Sequence, residues 1–313
     1  MRVTLRQLMI FQAVALQGST SAAARSVPLS QSATSAAVNE LEHALGTLLF
    51  DRVGKRLLLN DRGRTLLPAA RAVLDGAQDI ESTFASGNSA ALLDLKVFAS
   101  TTIGNYVLPR VLARYRTLHP DAVLDMRIGN TLDVVTAVRE FATDLGFIEG
   151  PCHAPDVSVL PWLEDELVVV AASNHPLALK AGRGRLTARQ LTQALWLLRE
   201  PGSGTREAVE QALMPHLPNI RSMITLGSSE AIKNAAAEGL GISCLSRAVV
   251  HDLVAADRLV ILATRLPRLM RRFSVIHHRV KVLSKPLQGF VAYCENAGGG
   301  PTGGRATGRR APS

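Results

Sequence analysis

The sequence predicts an α/β chain in two unlike parts: a short, mostly helical N-terminal unit and a long body of alternating strands and helices. Three observations carry this. Over residues 1–64 apolar side chains recur every three to four positions, the helical period, with two short extended stretches around one glycine turn. After Leu92 short apolar runs alternate with helical segments, as in parallel sheets covered on both faces. The length, 313 residues, is about twice that of an average domain.

Residues 4–17 read as the first helix, stopped by Gly18. Ser19 caps a short alanine-rich helix that Pro28 breaks. Ser30 caps a third helix running to about Ala44 and ended by Gly46. Leu48 to Phe50 is extended, Arg52-Val53-Gly54-Lys55-Arg56 is a basic turn, and Leu57 to Leu59 returns as a strand. Asn60 to Gly63 reads as a further turn. Thr65 to Phe84 reads as one long helix with an apolar stripe at Leu66, Ala70, Val73/Leu74, Ala77, Ile80 and Phe84. That stripe packs either on its own domain or on a second copy as a dimer seam. A helix joining two domains has little of its own chain to lie on, which favours the second copy. Residues 85–91 read as a linker.

In the body, strands are expected at residues 93–99, 123–128, 145–148, 167–172, 195–198, 223–226, 242–245, 259–262 and 273–277. Helices fall between most of them, at residues 104–118, 132–141, 205–213, 229–238 and 248–255. A crossing near Glu149-Gly150-Pro151 and a return near Leu266 to Arg271 suit two lobes with a hinge. From Gly298 the chain is rich in Gly, Pro, Thr and Arg and should be disordered.

Composition excludes several classes. A chain 47% hydrophobic and 19% charged is not wholly disordered. Its purest apolar run, Leu167 to Ala172, is far short of the roughly 20 residues that span a bilayer, so no membrane partner is expected. Cys152, Cys244 and Cys294 form neither a disulfide framework nor a CxxC pair, which suits a reducing, cytoplasmic setting. The net charge of +9 is uneven: residues 1–64 hold eight Lys/Arg against four Asp/Glu. A basic quarter on a nearly neutral body fits an acidic polymer as partner. Arg2 and Arg6 before Leu8 to Leu16, with small residues at 21–24, also have the order of a secretory signal. Gln7, Gln12 and Gln17 interrupt that stretch, and Leu5, Leu8, Phe11/Gln12 and Ala15/Leu16 recur at helical spacing, which weakens the signal reading.

Residues 19–38 form a helix, a tight turn and a second helix. Ala23 and Ala24 are small where the helices cross, and Val27 and Leu29 plug the junction. The second helix opens with Ser30, Gln31, Ser32, Thr34 and Ser35, short polar side chains able to bond base edges in a major groove. Arg52, Lys55 and Arg56 would lie on the DNA backbone as a wing. A merely solvated helix face is the alternative. In the body, four loops open helices with hydroxyls and free N–H groups, which suit a small anion. They hold Ser100, Thr101 and Thr102; Asn130 and Thr131; Ser203, Gly204, Thr205 and Arg206; and Ser228. Glu149 lies near the hinge. For any one loop, a plain helix cap is the alternative.

The chain resembles the LysR-type transcriptional regulators. Leu5-Arg6-Gln7-Leu8…Phe11, Gly18-Ser19-Thr20-Ser21-Ala22-Ala23-Ala24, Leu29-Ser30-Gln31, Leu41-Glu42, Leu45-Gly46…Leu49-Phe50-Asp51-Arg52 and Asn60-Asp61-Arg62-Gly63 stand at the family's spacing without gaps. The resemblance implies a winged helix-turn-helix at 1–64, a dimerising linker helix and hinge at 65–91, and a two-lobed effector domain at 92–297 similar to periplasmic binding proteins. Lobe I would span about 92–161 and 267–297, and lobe II about 162–266, with a tail at 298–313. It further implies promoter DNA as partner, a homodimer that pairs into a homotetramer, and RNA polymerase as a further contact. Ser32 stands where the family has Pro, and Ala36 where it often has Arg. The loops 101–106 and 128–131 look like the subgroup governing carbon fixation and sulfur assimilation, which suggests sulfite or a phosphorylated sugar as effector. No P-loop, HExxH, GxSxG or EF-hand occurs, and Cys152-His153 and His277-His278 lack further metal ligands in register. No enzyme activity, catalytic residue, metal or bound cofactor is expected. A secreted two-lobed solute-binding protein is the alternative function.

Overall fold

Helix starts and stops follow the caps written in the sequence. In the computed structural model, described for residues 2–54, 56–84, 94–182, 184–217, 220 and 222–297, α1 (Leu5–Gln17) starts on a capping box between Thr4 and Gln7 and ends at Gly18 in the left-handed region. Helix α2 (Thr20–Ser26) is capped by Ser19, and α3 (Gln31–Leu45) by Ser30. A two-stranded ribbon, β1 (Phe50–Val53) and β2 (Arg56–Leu59), forms the wing. Phe11, Val14, Leu41 and Leu49 fill the core of this unit. The backbone of Leu57 bonds the Gly18 carbonyl, and Glu42 accepts the Leu49 N–H at 2.7 Å, so wing and helices form one body. Lys55, at the wing turn, lies outside the described residues, as do the linker at 85–91 and the tail at 298–313.

Helix α4 (Asp61–Phe84) starts four residues before the sequence reading placed it. The expected turn at Asn60 to Gly63 is instead the helix start: the Asn60 side chain accepts the Gly63 N–H at 2.9 Å. Leu67 and Ala70 join the N-terminal core, while Val73 and Ile80 stay exposed. The middle of α4 also docks on the body. Arg71 is buried with its guanidinium over Phe141, and Asp75 pairs with Lys281, which also holds Asp144.

The body begins with β3 (Asp94–Ser100), α5 (Thr101–Tyr106), α6 (Leu108–Leu118), β4 (Val123–Gly129), α7 (Thr131–Arg139) and β5 (Leu145–Glu149). The single helix expected at 104–118 is two, divided at Val107 ahead of Pro109, whose ring cannot follow a helical turn. Strand β6 (Val157–Ala172) leads to α8 (Pro176–Ala181), α9 (Ala188–Leu191), β7 (Leu195–Arg199), α10 (Gly204–Ala212), β8 (Ser222–Leu226), α11 (Ser229–Ala237), β9 (Ile242–Ser246), α12 (Arg247–Ala255) and β10 (Leu259–Ile261). Strand β11 (Leu269–His278) returns, and α13 (Lys285–Ala297) closes the fold.

One sheet runs through the body in the order β4-β3-β5-β11-β6-β9-β7-β8, with β10 on β6. It is mixed rather than parallel. Strands β6 and β11 are antiparallel partners that pass between the lobes, pairing with β5 on one side and β9 on the other. Both are longer than the sequence reading because Pro161, Glu164, Asp165, Arg271 and Arg272 interrupt their apolar runs. Phe147, Tyr115 and Phe290 centre one lobe's core, and Trp196, Leu198 and Val209 the other's.

Candidate functional site

The N-terminal unit presents one polar edge. Ser30, Gln31 and Ser32 are exposed at the start of α3, and Ser35 is half-buried. Ser30 caps the helix by accepting the Ala33 N–H, and its hydroxyl lies 2.9 Å from that of Ser32. Gln31 donates to the Thr20 hydroxyl at 3.1 Å, which fixes its amide across the two helices. Thr34 is corrected: it is fully buried and donates to the Ser30 carbonyl at 3.0 Å, so it faces the core and cannot reach a base. Arg52 and Arg56 are exposed on the two strands of the wing. A helix start with exposed polar side chains beside a basic ribbon has the parts that groove reading and phosphate contact require.

The second site lies in the body, where strand ends from both lobes meet. The Thr131 hydroxyl bridges the lobes: it donates to the Glu149 carbonyl at 3.2 Å and accepts the Gly204 N–H at the same distance. The Leu132 N–H bonds the Gly202 carbonyl. Gly204 permits this approach, since a Cβ there would stand 1.8 Å from the Glu149 carbonyl oxygen. Gly150, at φ +84°, turns the chain beside it.

Two buried guanidiniums organise the seam. Arg271 sits on β11 directly opposite Asp165 of β6, and its Nε lies 2.7 Å from that carboxylate. It donates to Thr205 at 2.8 Å and to Thr102 at 3.4 Å, and lies 3.1 Å from Glu149. The last contact is ionic, without hydrogen-bond alignment, because Glu149 Oε2 has no hydrogen-bond partner. The other Glu149 oxygen accepts from Thr205 at 3.1 Å. Arg199, at the end of β7, is clamped by Glu200 and donates to Ser229 and to Thr101 across the seam. Lys233 of α11 reaches the Tyr106 hydroxyl at 3.1 Å.

Of the residues named from sequence, Thr101, Thr102, Thr131, Glu149, Gly204 and Thr205 come together here. Ser100 is fully buried beside them with a hydroxyl that has no partner. Asn130, Ser203 and Ser228 cap α7, α10 and α11. Arg206 bonds Glu210 and the Arg199 carbonyl. Sequence reasoning missed Arg199, Asp165 and Arg271. A charged residue that closes or interrupts a buried apolar strand was the available signal. Burial pushes the Asp165 carboxyl up, against the pull of Arg271 and the Ser246 hydroxyl. Among the described residues no His/Cys/Asp/Glu group could hold a metal ion, and no helix is long and apolar enough to cross a membrane.

Comparison with known proteins places both parts. Residues 5–64 match the family model for the bacterial regulatory helix-turn-helix protein of the lysR family, and residues 93–299 match the LysR substrate binding domain. The HTH-type transcriptional regulator YeiE of Escherichia coli is 52% identical, over 95% of this chain and 99% of its own. The RuBisCO operon transcriptional regulator of Allochromatium vinosum is 31% identical, over 91% and 93%. The regulatory domain of Synechocystis CcmR, solved in complex with 2-PG, is 31% identical and superposes with a TM-score of 0.60, covering 66% of this chain and 97% of that one.

Proposed function

This chain belongs to the LysR family of DNA-binding transcriptional regulators, and on that footing we propose that a small anion held between its lobes controls how it engages promoter DNA. Its relatives are regulators rather than enzymes, and so is this chain. The secretory alternative is not favoured. The stretch from Leu8 to Leu16 that resembled a signal lies within α1, where Leu8, Phe11 and Val14 line the core of the helix-turn-helix unit.

The observation that carries the anion reading is the convergence of Thr101, Thr102, Thr131 and Thr205, from both lobes, around buried Arg199 and Arg271. The N-terminal ends of α7, α10 and α11 add N–H groups, whose partial positive charge favours an anion. The 2-PG complex of the CcmR regulatory domain is in keeping with it. On this reading the effector contacts are Ser100, Thr101, Thr102, Asn130, Thr131, Glu149, Ser203, Gly204, Thr205, Arg206 and Ser228, with Arg199 and Arg271 added. Sulfite and phosphorylated sugars are the ligand classes to try. Gln31, Ser30, Ser32 and Ser35 read bases, and Arg52, Lys55 and Arg56 hold phosphates. The chain works in the cytoplasm as a homodimer through exposed Val73 and Ile80 of α4; dimers pair into tetramers and meet RNA polymerase at the promoter.

The test is thermal stabilisation of the full chain by sulfite, sulfate and 3-phosphoglycerate. A Thr102→Ala/Thr205→Ala double variant should lose the shift seen in the parent. A shift retained in full would place the ligand elsewhere.

A further inference from the structure

The cations at the lobe seam are already neutralised. Among the described residues three buried cations line it: Arg199, Lys233 and Arg271. Arg199 holds both oxygens of Glu200, at 2.7 and 2.8 Å. Lys233 lies 3.1 Å from Glu230 and 2.9 Å from Asp252. Arg271 lies 2.7 Å from Asp165 and 3.1 Å from Glu149. Three cations thus meet five carboxylates.

The surplus negative charge is not evenly placed. Asp252 is open to water, which screens it, and Glu230 is half-exposed, although its Oε1 is buried without a hydrogen-bond partner. Glu149 and Asp165 are both buried, and they share one guanidinium. When both are ionised, this dry triad carries one net negative charge. An anion accepting from the Thr102 hydroxyl would stand next to the same guanidinium. Like charges this close in a poorly solvated site do not all stay ionised; the site relieves the repulsion by taking a proton.

We infer that the anion binds together with one proton, which the Glu149–Asp165 pair holds across Arg271. This rests on the cleft being the anion site. The surroundings can accommodate a neutral acid. Ser246 of β9 lies 2.6 Å from Asp165 Oδ1, and its hydroxyl can donate to a carboxylate or accept from an acid. Glu149 Oε2 is buried without a hydrogen-bond partner, so protonation there breaks no hydrogen bond and gives up only its ionic contact with Arg271. The groups facing the pair are Arg271 from β11, Thr205 from α10, Thr102 from α5, and Ser246 and Cys244 from β9. Burial pushes the Cys244 thiol up to about 12, so it stays neutral and cannot supply the proton. Burial also raises the Asp165 carboxyl from its ordinary value before any ligand arrives.

Sulfate is the probe, because it remains a dianion near neutral pH and any proton taken up is the protein's. The full chain is titrated calorimetrically with sodium sulfate in PIPES and in Tris, whose ionisation heats differ. The expected result is a buffer-dependent heat equal to uptake of nearly one proton. Affinity should fall as pH rises, by up to tenfold per unit between the pair's pKa in the free and the bound protein. Glu149→Gln and Asp165→Asn should each abolish the buffer dependence and strengthen binding at alkaline pH. If one variant fails to fold, the other and the parent's two-buffer comparison still decide. Sulfate binding with no proton uptake overturns this inference and leaves the cleft reading standing. Sulfate binding undiminished in the Thr102→Ala/Thr205→Ala variant overturns the cleft reading itself. Absence of binding by sulfate at any pH overturns the inference, and absence of binding by sulfite and 3-phosphoglycerate as well overturns both.

Discussion

Arg271 illustrates what one residue holds in this protein. It ties β11 to β6 through Asp165 and reaches Thr102 and Thr205 across the seam. Removing it leaves two buried carboxylates without their cation. Arg271→Met should therefore cost about 3–5 kcal/mol in chemical denaturation, a loss of the size measured when one partner of a buried ion pair is deleted. A loss near zero would mean that the carboxylates are solvated. Arg271 was illegible in the sequence because a charge within an apolar stretch reads as the end of a strand. Only the register that sets it opposite Asp165 shows the two as one unit. Thr34 shows the reverse error. It lies among Ser and Gln at a helix start, yet one turn after Ser30 its side chain points inward. Gln31 remains exposed, and Gln31→Ala should weaken specific DNA binding by about 1–3 kcal/mol while leaving random DNA unaffected, as anisotropy on both would report. Thiol chemistry gives a further check. Burial pushes Cys244 and Cys294 up to about 12, whereas Cys152 is half-exposed. An aromatic disulfide reagent at neutral pH should label Cys152 alone in the native protein and all three thiols after denaturation.

At the scale of elements, the helix caps and the wing were legible because each is specified by neighbours in sequence. Ser19 and Ser30 cap as local chemistry requires, and Gly18 and Gly46 take the left-handed stops. The family's Gly63 has a packing reason as well: a Cβ there would stand 2.1 Å from the Leu49 carbonyl oxygen, where α4 meets β1. The crossing strands were not legible. Each serves two lobes: their mutual register shifts between Phe273 and Ser274, and charges at the seam break their apolar patterns. The lobes close on Gly204. Gly204→Ala should prop them apart at the Glu149 carbonyl and abolish ligand-induced thermal stabilisation, with intact folding judged by circular dichroism. An unchanged thermal shift would show that closure tolerates a methyl group there. Helix α4 divides its length between tasks. Leu67 and Ala70 belong to the N-terminal core, Arg71 and Asp75 dock on the body, and Val73 and Ile80 stay exposed.

For the whole molecule, the uneven charge becomes a division of labour. The N-terminal unit holds the exposed Arg52 and Arg56, while the body keeps its buried charges in pairs and triads. Arg52→Ala and Arg56→Ala should therefore weaken binding to all DNA alike and flatten its dependence on salt, since a protein that neutralises fewer phosphates releases fewer counterions. Helix α4 docks on the body through Arg71 over Phe141 and through Asp75 with Lys281. β5 runs from beside Asp144 to Glu149, and β11 from Arg271 to His278, so both strands link the seam to that docking face. Central to this picture is a ligand between the lobes that changes the DNA affinity of a sequence-specific N-terminal unit. The most direct measurement is fluorescence anisotropy of the full chain on DNA flanking its own gene, with random competitor, with and without sulfite or 3-phosphoglycerate. The expected result is binding that survives the competitor, shifts with one of these anions, and loses that shift in the Thr102→Ala/Thr205→Ala variant. Binding that random DNA removes, or an anion response unchanged in that variant, would contradict it.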